Sequence, residues 1–222
     1  LPAIEILSKE HIFVMNDLRA STQDIRPLKI AILNLMPLKI TTETDLIRLL
    51  SNSPLQIEID FVQLETHFPK NTPIEHLLEF YKPFSSIRNN FYDGFIVTGA
   101  PVELLPFEKV NYWQELTDIF NWARTHVTST FYICWAAQAA MFHFFGINKY
   151  PLEKKLFGVF KHKINDPSFP LFRGFDDEFY APHSRHTTVS IEEINEHPEL
   201  TVLSQSDETG VYIISSRGGR EF

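Results

Sequence analysis

Long apolar runs alternate with amphipathic segments along the first two thirds of the chain. LKIAILNLM (28–36) is nearly continuous in apolar residues, and YDGFIVTGAP (92–101) and TSTFYIC (128–134) each contain a shorter apolar run. This pattern is typical of strands that are buried on both faces of a sheet. A fourth segment, QIEIDFVQL (56–64), alternates apolar and polar residues, which also predicts a strand.

The segments between these strands have helical signals. TTETDLIRLLSN offers Thr41 or Thr42 as an N-cap, and TPIEHLLEFY predicts a short helix that begins at Pro73. VNYWQELTDIFNWARTH (110–126) has an aromatic and aliphatic stripe, and WAAQAAMFHFFG predicts a helix that ends at Gly146. Strands that alternate with helices predict an α/β fold, with a mostly parallel sheet and helices on both of its faces.

The last third of the chain has a different pattern. KLFGVFKHKI (155–164), EFYAPHSRHTTVSI (178–191), LTVLSQSDE and GVYIISSR predict strands and turns, with one short helix near 191–197.

Functional residues are expected where the parallel strands end. In sheets of this kind, the active crevice lies beyond the carboxyl ends of the strands. The segments NLMP, TGAPVEL and CWAAQ follow three of the predicted strands and are expected to converge there. The last of them contains Cys134, the single cysteine of the chain.

Two interpretations of Cys134 stay open at this point. A free cysteine is most often a small buried hydrophobe. A cysteine between a strand and a helix N-terminus, however, is placed as a nucleophile, because the helix N–H groups favour the thiolate and can hold an oxyanion. Such elbows prefer small residues two positions away on either side. Ala136 meets this preference and Tyr132 does not.

Composition excludes several classes of function. The net charge of −8 disfavours a nucleic-acid surface, and no apolar run approaches the length of about 18 residues that a membrane helix needs. The segment HSRH lacks further ligands at zinc spacing, so we expect no metal site. A single cysteine fits a reducing cytoplasm, which is the predicted location.

Five segments resemble the homoserine O-acyltransferases of bacterial methionine biosynthesis, and the likeness as a whole extends over nearly the whole chain. They are IRPLKIAILNLMPLKITTETDLIRLLSNSPLQIEI, VTGAPVELLPFEKVNYW, TSTFYICWAAQAA, EKKLFGVFKHKI and RGFDDEFYAPHSRHT. The resemblance implies a class I glutamine-amidotransferase-like (flavodoxin-like) fold. It also implies transfer of an acyl group from acetyl-CoA or succinyl-CoA to the hydroxyl of L-homoserine, through an acyl-cysteine thioester.

The resemblance assigns roles to individual residues. Cys134 matches the acylated nucleophile, and Lys155 and Ser184 match residues that contact the substrate. Backbone N–H groups at Trp135 and around Leu35 and Met36 would form the oxyanion hole.

Glu103 falls at the position that sets the choice of acyl donor. In the family, a glutamate there accompanies acetyl-CoA and a glycine accompanies succinyl-CoA. A carboxylate in the acyl pocket would repel the terminal carboxylate of a succinyl group and fill the space that it needs. The alternative is that Glu103 is a solvated loop acid.

The general base of the family is not found in this sequence. No segment matches the family's histidine, the glutamate two residues after it or the later carboxylate-binding arginine. We expect these residues beyond Phe222, and expect residues 1–222 to be a single acyltransferase domain without its C-terminal catalytic segment. Spacing alone would offer His183 or His186 as the base, and Arg185 as a holder of the homoserine carboxylate or a brace of its loop.

The sequence therefore predicts a homoserine O-acetyltransferase that needs no resident cofactor, because acetyl-CoA enters as a substrate. The resemblance also suggests a homodimer, and no nucleic-acid or membrane partner is expected. The alternatives are a homoserine O-succinyltransferase, a cysteine-dependent glutaminase-like or peptidase-like hydrolase on the same fold, and a binding domain without activity.

Overall fold

The computed structural model describes residues 2–15, 22, 26–67, 69 and 71–222. The chain divides into two compact units. The first comprises Leu1–Pro101 and Asn111–Ile133, and the second comprises Val102–Val110 and Cys134–Phe222. The prediction of a single acyltransferase domain stays a prediction.

The first unit alternates strands and helices, as its apolar pattern predicts. Its elements are α1 (Pro2–Lys9), β1 (Leu28–Leu33), α2 (Lys39–Leu50), β2 (Ile57–Gln63), α3 (Ile74–Phe80), β3 (Tyr81–Pro83), α4 (Phe84–Ile87), β4 (Tyr92–Val97), α5 (Trp113–His126) and β5 (Val127–Tyr132).

These strands form a parallel sheet in the order β3-β2-β1-β4-β5. The order reverses between β1 and β4, which is where ligands bind in doubly wound sheets. At this point the Leu35 N–H donates to Thr98 Oγ1 over 2.8 Å, and the Thr98 N–H donates to the Leu33 carbonyl over 3.1 Å. The segments that follow β1 and β4 are thus hydrogen-bonded to each other.

Helices cover both faces of this sheet. On one face, α1, α2 and α3 pack on alternate residues of the strands, with Ile32 and Phe61 at the centre of a buried cluster. On the other face, Trp122 of α5 contacts Phe95 edge-on, with 5.7 Å between the ring centroids. Burial on both faces explains the apolar run at residues 31–33 of the central strand β1, whereas β5 at the edge of the sheet has the exposed polar residue Thr128.

The second unit is built mainly from antiparallel strands. Its elements are a 3₁₀ turn (Phe107–Lys109), α6 (Trp135–Phe145), β6 (Tyr150–Ile164), a second 3₁₀ turn (Pro170–Phe172), β7 (Glu178–Thr188), α7 (Ile191–Asn195), β8 (Thr201–Ser206) and β9 (Gly210–Ser215). The sheet order is β7-β6-β8-β9. A core cluster of Met141, Ile147, Ile194 and Val211 joins α6 and α7 to this sheet.

Most predicted elements are confirmed, and Gly146 ends α6 in the left-handed conformation, with φ 73°. The expected caps are wrong: α2 begins at Lys39, and the Thr42 hydroxyl donates within the helix to the Leu38 carbonyl. The helix α1 and the short strand β3 were not predicted, because neither has a long apolar run. Within the described residues, no helix has the length and apolarity needed to cross a membrane.

Candidate active site

Cys134 lies between β5 and α6 in a strained backbone conformation. The strand ends at Tyr132, two residues earlier than a strand ending on the cysteine would require, and Cys134 itself is the N-cap of α6. Its φ is 56° and its ψ is −117°, a combination that non-glycine residues rarely adopt. A sharp strand-to-helix turn with this kind of strain is the hallmark of a nucleophile elbow. The residue is exposed to solvent, although neighbouring atoms partly withdraw its sulfur from water.

The groups around the Cys134 thiol act on its pKa in opposite directions. Partial desolvation raises the pKa most, and the Trp135 N–H, which hydrogen-bonds the sulfur, lowers it. Glu103 raises the pKa and Arg185 lowers it, both through space. The net direction is upward, and the predicted preference of Cys134 for the thiolate stays a prediction. Withdrawal of the sulfur from water outweighs the helix N–H group.

Glu103 is oriented at the free edge of the antiparallel sheet. Its Oε2 lies 3.5 Å from the backbone N of His186, and its Oε1 lies 4.0 Å from His186 Nε2. The Lys149 ammonium acts on Glu103 only through space; it donates to the Leu105 carbonyl over 2.6 Å and lies 4.1 Å from the centre of the Phe107 ring. Glu103 is therefore partly buried and within electrostatic reach of Cys134, and its role in the choice of acyl donor stays a prediction.

The strand β7 separates two groups of the predicted residues. Side chains alternate between faces, and the burial pattern places His183 and Arg185 on the inner face and Ser184 on the outer one. Lys155 is also exposed, with its Nζ 5.6 Å from the centre of the Phe157 ring, and Phe157 pairs with Ser184 across the strands. Ser184 and Lys155 thus share the outer face of the sheet, whereas Arg185 faces inward.

The backbone N–H groups of Leu35 and Met36 already have acceptors in the first unit. Leu35 donates to Thr98 Oγ1, as described above, and Met36 donates to Asn34 Oδ1 over 3.1 Å. For either group to bind an oxyanion, it must exchange its present acceptor. The predicted oxyanion role of these two groups stays a prediction.

A buried polar cluster around Glu43 contacts the segment that follows β1. We call Asn34, Lys39, Glu43, His76 and Tyr81 the Glu43 cluster. Glu43 accepts a hydrogen bond from Tyr81 over 2.5 Å, and its Oε2 lies 2.9 Å from His76 Nε2. Asn34 donates to Tyr81 over 3.0 Å, and the Lys39 ammonium donates to the Asn34 carbonyl.

Burial shapes the chemistry of the Glu43 cluster. Glu43 is 1% exposed and Lys39 is 6% exposed. Burial lowers the pKa of Lys39 to about 8, opposed by the nearby Glu43, and raises the pKa of Tyr81 above its usual range. The sequence gives no signal for this cluster, because its members lie in separate segments that only the fold brings together.

Two buried histidines, His162 of β6 and His183 of β7, lie within electrostatic reach of Arg185. His162 Nε2 and His183 Nε2 are 2.9 Å apart, and the planes of the two rings are nearly parallel, at 4°. His162 Nδ1 lies 2.9 Å from the Phe160 carbonyl, so this nitrogen carries a hydrogen. The proton between the rings is therefore donated by His183 and accepted by neutral His162. Desolvation lowers the pKa of both rings, that of His183 to about 4.

Within the part of the chain that the structure describes, no cluster of three or more histidine, cysteine, aspartate or glutamate side chains could hold a metal ion.

Residues 1–222 match the sequence model of a family described as homoserine O-succinyltransferase. The chain is 67% identical over 222 residues to a protein from Parabacteroides distasonis that is named homoserine O-acetyltransferase, covering all of this chain and 72% of that protein. Proteins of the same name from Bacteroides fragilis and Acetivibrio thermocellus are 65% and 58% identical, again over the whole chain and over 73% and 72% of their own lengths. The likeness found in the sequence is confirmed.

Solved structures with a similar fold include glutamine amidotransferases of class I. A glutamine amidotransferase from Thermotoga maritima superposes with a TM-score of 0.59 at 13% identity, covering 89% of this chain and 74% of that one. The glutaminase domain of a CTPS from Trypanosoma brucei gives a TM-score of 0.55 at 13% identity, over 88% and 83%. These similarities confirm the predicted fold.

Proposed function

The chain belongs to the homoserine O-succinyltransferase family, and we propose that it takes acetyl-CoA as acyl donor and carries the acyl group on Cys134. It is a homoserine O-acyltransferase of methionine biosynthesis, and relatives similar to it over its whole length are named as O-acetyltransferases. The observation that carries the proposal is the strained elbow at Cys134, whose sulfur receives the Trp135 N–H at the start of α6.

The first half of the reaction acylates the cysteine. The Cys134 thiolate attacks the carbonyl carbon of acetyl-CoA, a sulfur–carbon bond forms, and the carbonyl oxygen takes the negative charge. Collapse of this intermediate breaks the bond to the sulfur of CoA, which leaves as a thiolate. The Trp135 N–H stands beside the reacting sulfur and supports an oxyanion-stabilising role.

The second half transfers the acyl group to homoserine. The hydroxyl oxygen of homoserine attacks the thioester carbonyl, loses its proton to a base, and the Cys134 thiolate is released. The family resemblance assigns the proton to a histidine in a segment that residues 1–222 do not match. The roles of Lys155 and Ser184 in holding homoserine rest on the family resemblance, because both residues lie on the outer face of the antiparallel sheet, opposite the face of Arg185.

The placement of Glu103 supports acetyl-CoA over succinyl-CoA. Its carboxylate is held by His186 within electrostatic reach of Cys134, and among the described residues no lysine or arginine pairs with it at ion-pair distance. A second carboxylate brought to Cys134 by a succinyl group would meet this charge in a partly desolvated site, where repulsion is strong.

The cytoplasmic location, the absence of a resident cofactor and the homodimer are part of the same proposal. They come from the single cysteine and the family resemblance.

The proposal is tested by a steady-state assay with homoserine and either acetyl-CoA or succinyl-CoA, with O-acylhomoserine identified by mass spectrometry. We expect O-acetylhomoserine as the main product, and no product from Cys134→Ala. Release of ammonia from glutamine with no O-acylhomoserine would instead favour a glutaminase-like hydrolase.

A further inference from the structure

The buried face of β7, which we call its inner row, places Arg185 near the first turn of α6, the helix that follows Cys134. His183, Arg185 and Thr187 occupy alternate positions on the buried side of the strand. The Thr187 hydroxyl donates to Gln138 Oε1 over 2.9 Å, and Gln138 lies one turn after Cys134 on α6. This contact fixes the register of β7 against the helix and places Arg185 on the side of Cys134.

The guanidinium of Arg185 is only partly satisfied. Its Nη2 donates to the Thr209 carbonyl, but its Nε is buried and has no hydrogen-bond partner among the described residues. Burial lowers the pKa of Arg185, and the Coulombic interaction that raises it comes from Cys134 and not from a carboxylate. A buried charged donor without an acceptor is expensive to keep, and such groups are found where an anion arrives during function.

The other groups near Arg185 do not supply that anion. His183 and His162 face it as neutral rings, as their shared proton and lowered pKa values show. The charged or hydrogen-bonding groups that act on Cys134 are Trp135 from α6, Glu103 from the segment before the first 3₁₀ turn, and Arg185 from β7. Arg185 is the only cation in this set.

We propose that Arg185 stabilises the negative charge that passes over the Cys134 centre during acyl transfer, first on the thiolate and then on the tetrahedral oxygen. This inference rests on the proposed role of Cys134 as nucleophile. It gives the buried Nε–H its acceptor in the reacting state. It also supplies a second donor beside Trp135 while the N–H groups of Leu35 and Met36 remain bonded to Thr98 and Asn34. In this role Arg185 acts on the charge of the reacting atoms themselves.

The test compares Arg185→Gln and Arg185→Lys with the wild type and with Arg220→Gln, which removes an exposed arginine from the same unit. Rapid mixing with acetyl-CoA, without homoserine, measures the rate of Cys134 acylation. We expect Arg185→Gln to acylate about a hundredfold more slowly, the size of effect seen when one oxyanion donor is lost. Arg185→Lys, which keeps the charge, should recover part of this rate, and Arg220→Gln should match the wild type.

A second readout is independent of acetyl-CoA. The pH dependence of Cys134 alkylation by iodoacetamide reports the thiolate directly, and it should move to higher pH in Arg185→Gln and less so in Arg185→Lys. Circular dichroism melting checks that each variant is folded, and Arg185→Lys carries the test if Arg185→Gln does not fold.

Three outcomes would overturn the inference. Acylation of a folded Arg185→Gln within about twofold of the wild type would show that the charge is not used. An equal loss of acylation rate in Arg185→Gln and Arg185→Lys would show that the shape of the arginine side chain matters and its charge does not. An unchanged acylation rate with a raised KM for homoserine would assign Arg185 to the carboxylate of the acceptor. Failure of the wild type to acylate at all would instead count against the proposed function, while the alkylation profile would still test Arg185.

Discussion

The Glu43 cluster and the groups around Cys134 both place charge inside the protein, but they treat it differently. In the Glu43 cluster, the carboxylate receives Tyr81 and lies against His76, and the lysine donates to a carbonyl. Around Cys134, Arg185 keeps a buried N–H that has no acceptor among the described residues, and desolvation disfavours the thiolate. The polar groups of the Glu43 cluster thus have hydrogen-bond partners within the protein, whereas the Arg185 Nε–H near Cys134 has none among the described residues.

The comparison distinguishes buried polar groups that stabilise the fold from buried polar groups that act on a ligand. A fully paired buried network stabilises one arrangement of the loop after β1, because breaking any member leaves the others unpaired. An incompletely paired site lowers the stability of the free protein and becomes satisfied when a ligand or an anionic intermediate is present. Substitutions in the first set should therefore change stability, and substitutions in the second should change catalysis.

The largest effect on stability is expected at Glu43. Replacing it with alanine leaves Tyr81 and His76 without their shared acceptor and removes the nearby counter-charge of Lys39. We expect a loss of about 3 kcal/mol in the free energy of unfolding, measured by urea denaturation. Asp45→Ala, an exposed acid on the same helix, should change it by less than about 1 kcal/mol. Equal effects from both substitutions would show that the Glu43 cluster is not a stabilising unit.

The next effect concerns the choice of acyl donor. Glu103→Gly removes the carboxylate that His186 holds near Cys134. The ratio of kcat/KM for succinyl-CoA to that for acetyl-CoA should rise by roughly tenfold to a hundredfold, which corresponds to about 1–3 kcal/mol. Glu108→Gly, at an exposed acid in the adjacent 3₁₀ turn, is the matched control. If the two variants show the same ratio, Glu103 does not select the donor.

The smallest effect is a dependence of stability on pH. Burial lowers the pKa of His183 from its ordinary value of 6.5 to about 4 in the folded protein, and the positive charge of Arg185 adds to this effect. As the pH falls from 6.5 to 4, the unfolded chain binds a proton that the folded chain does not, so stability is lost across this window.

The control for this pH effect removes the titrating ring. Between about pH 7 and about pH 4.5, the Tm of the wild type should fall by at least about 5 °C more than that of His183→Asn. His11→Asn, at an exposed position with positive φ that asparagine tolerates, should behave like the wild type. If the wild type and His183→Asn show the same change of Tm with pH, the buried histidine pair does not cause the pH dependence of stability.

The sequence predicts the sheet of the first unit well, because strands buried on both faces must be apolar along their length. The segments 28–36 and 92–101 contain the strands that the structure has there, and the segment 128–134 overlaps β5, which begins one residue earlier, at Val127. The position of Cys134 at the start of α6 is predictable for the same reason. Its positive φ is not, because nothing in a single sequence records backbone strain at a non-glycine residue.

The inner row of β7 could not be predicted in the same way. The sequence makes Arg185 and Ser184 neighbours, but a strand points adjacent side chains to opposite faces, and the register against β6 decides which face is buried. The His162–His183 contact joins residues 21 positions apart, and in that register His183 lies opposite Gly158 and His162 opposite Phe179. Such a contact depends on the twist of the sheet as well as on the register, and a single sequence sets neither.

The central claim is that Cys134 carries the acyl group, and intact-mass spectrometry after mixing with acetyl-CoA in the absence of homoserine tests it most directly. We predict one added acetyl group per chain, located at Cys134 by peptide mapping, lost on addition of homoserine and not formed in Cys134→Ala. A protein that makes O-acetylhomoserine without ever showing this adduct, or that is acetylated equally well in Cys134→Ala, would contradict the account.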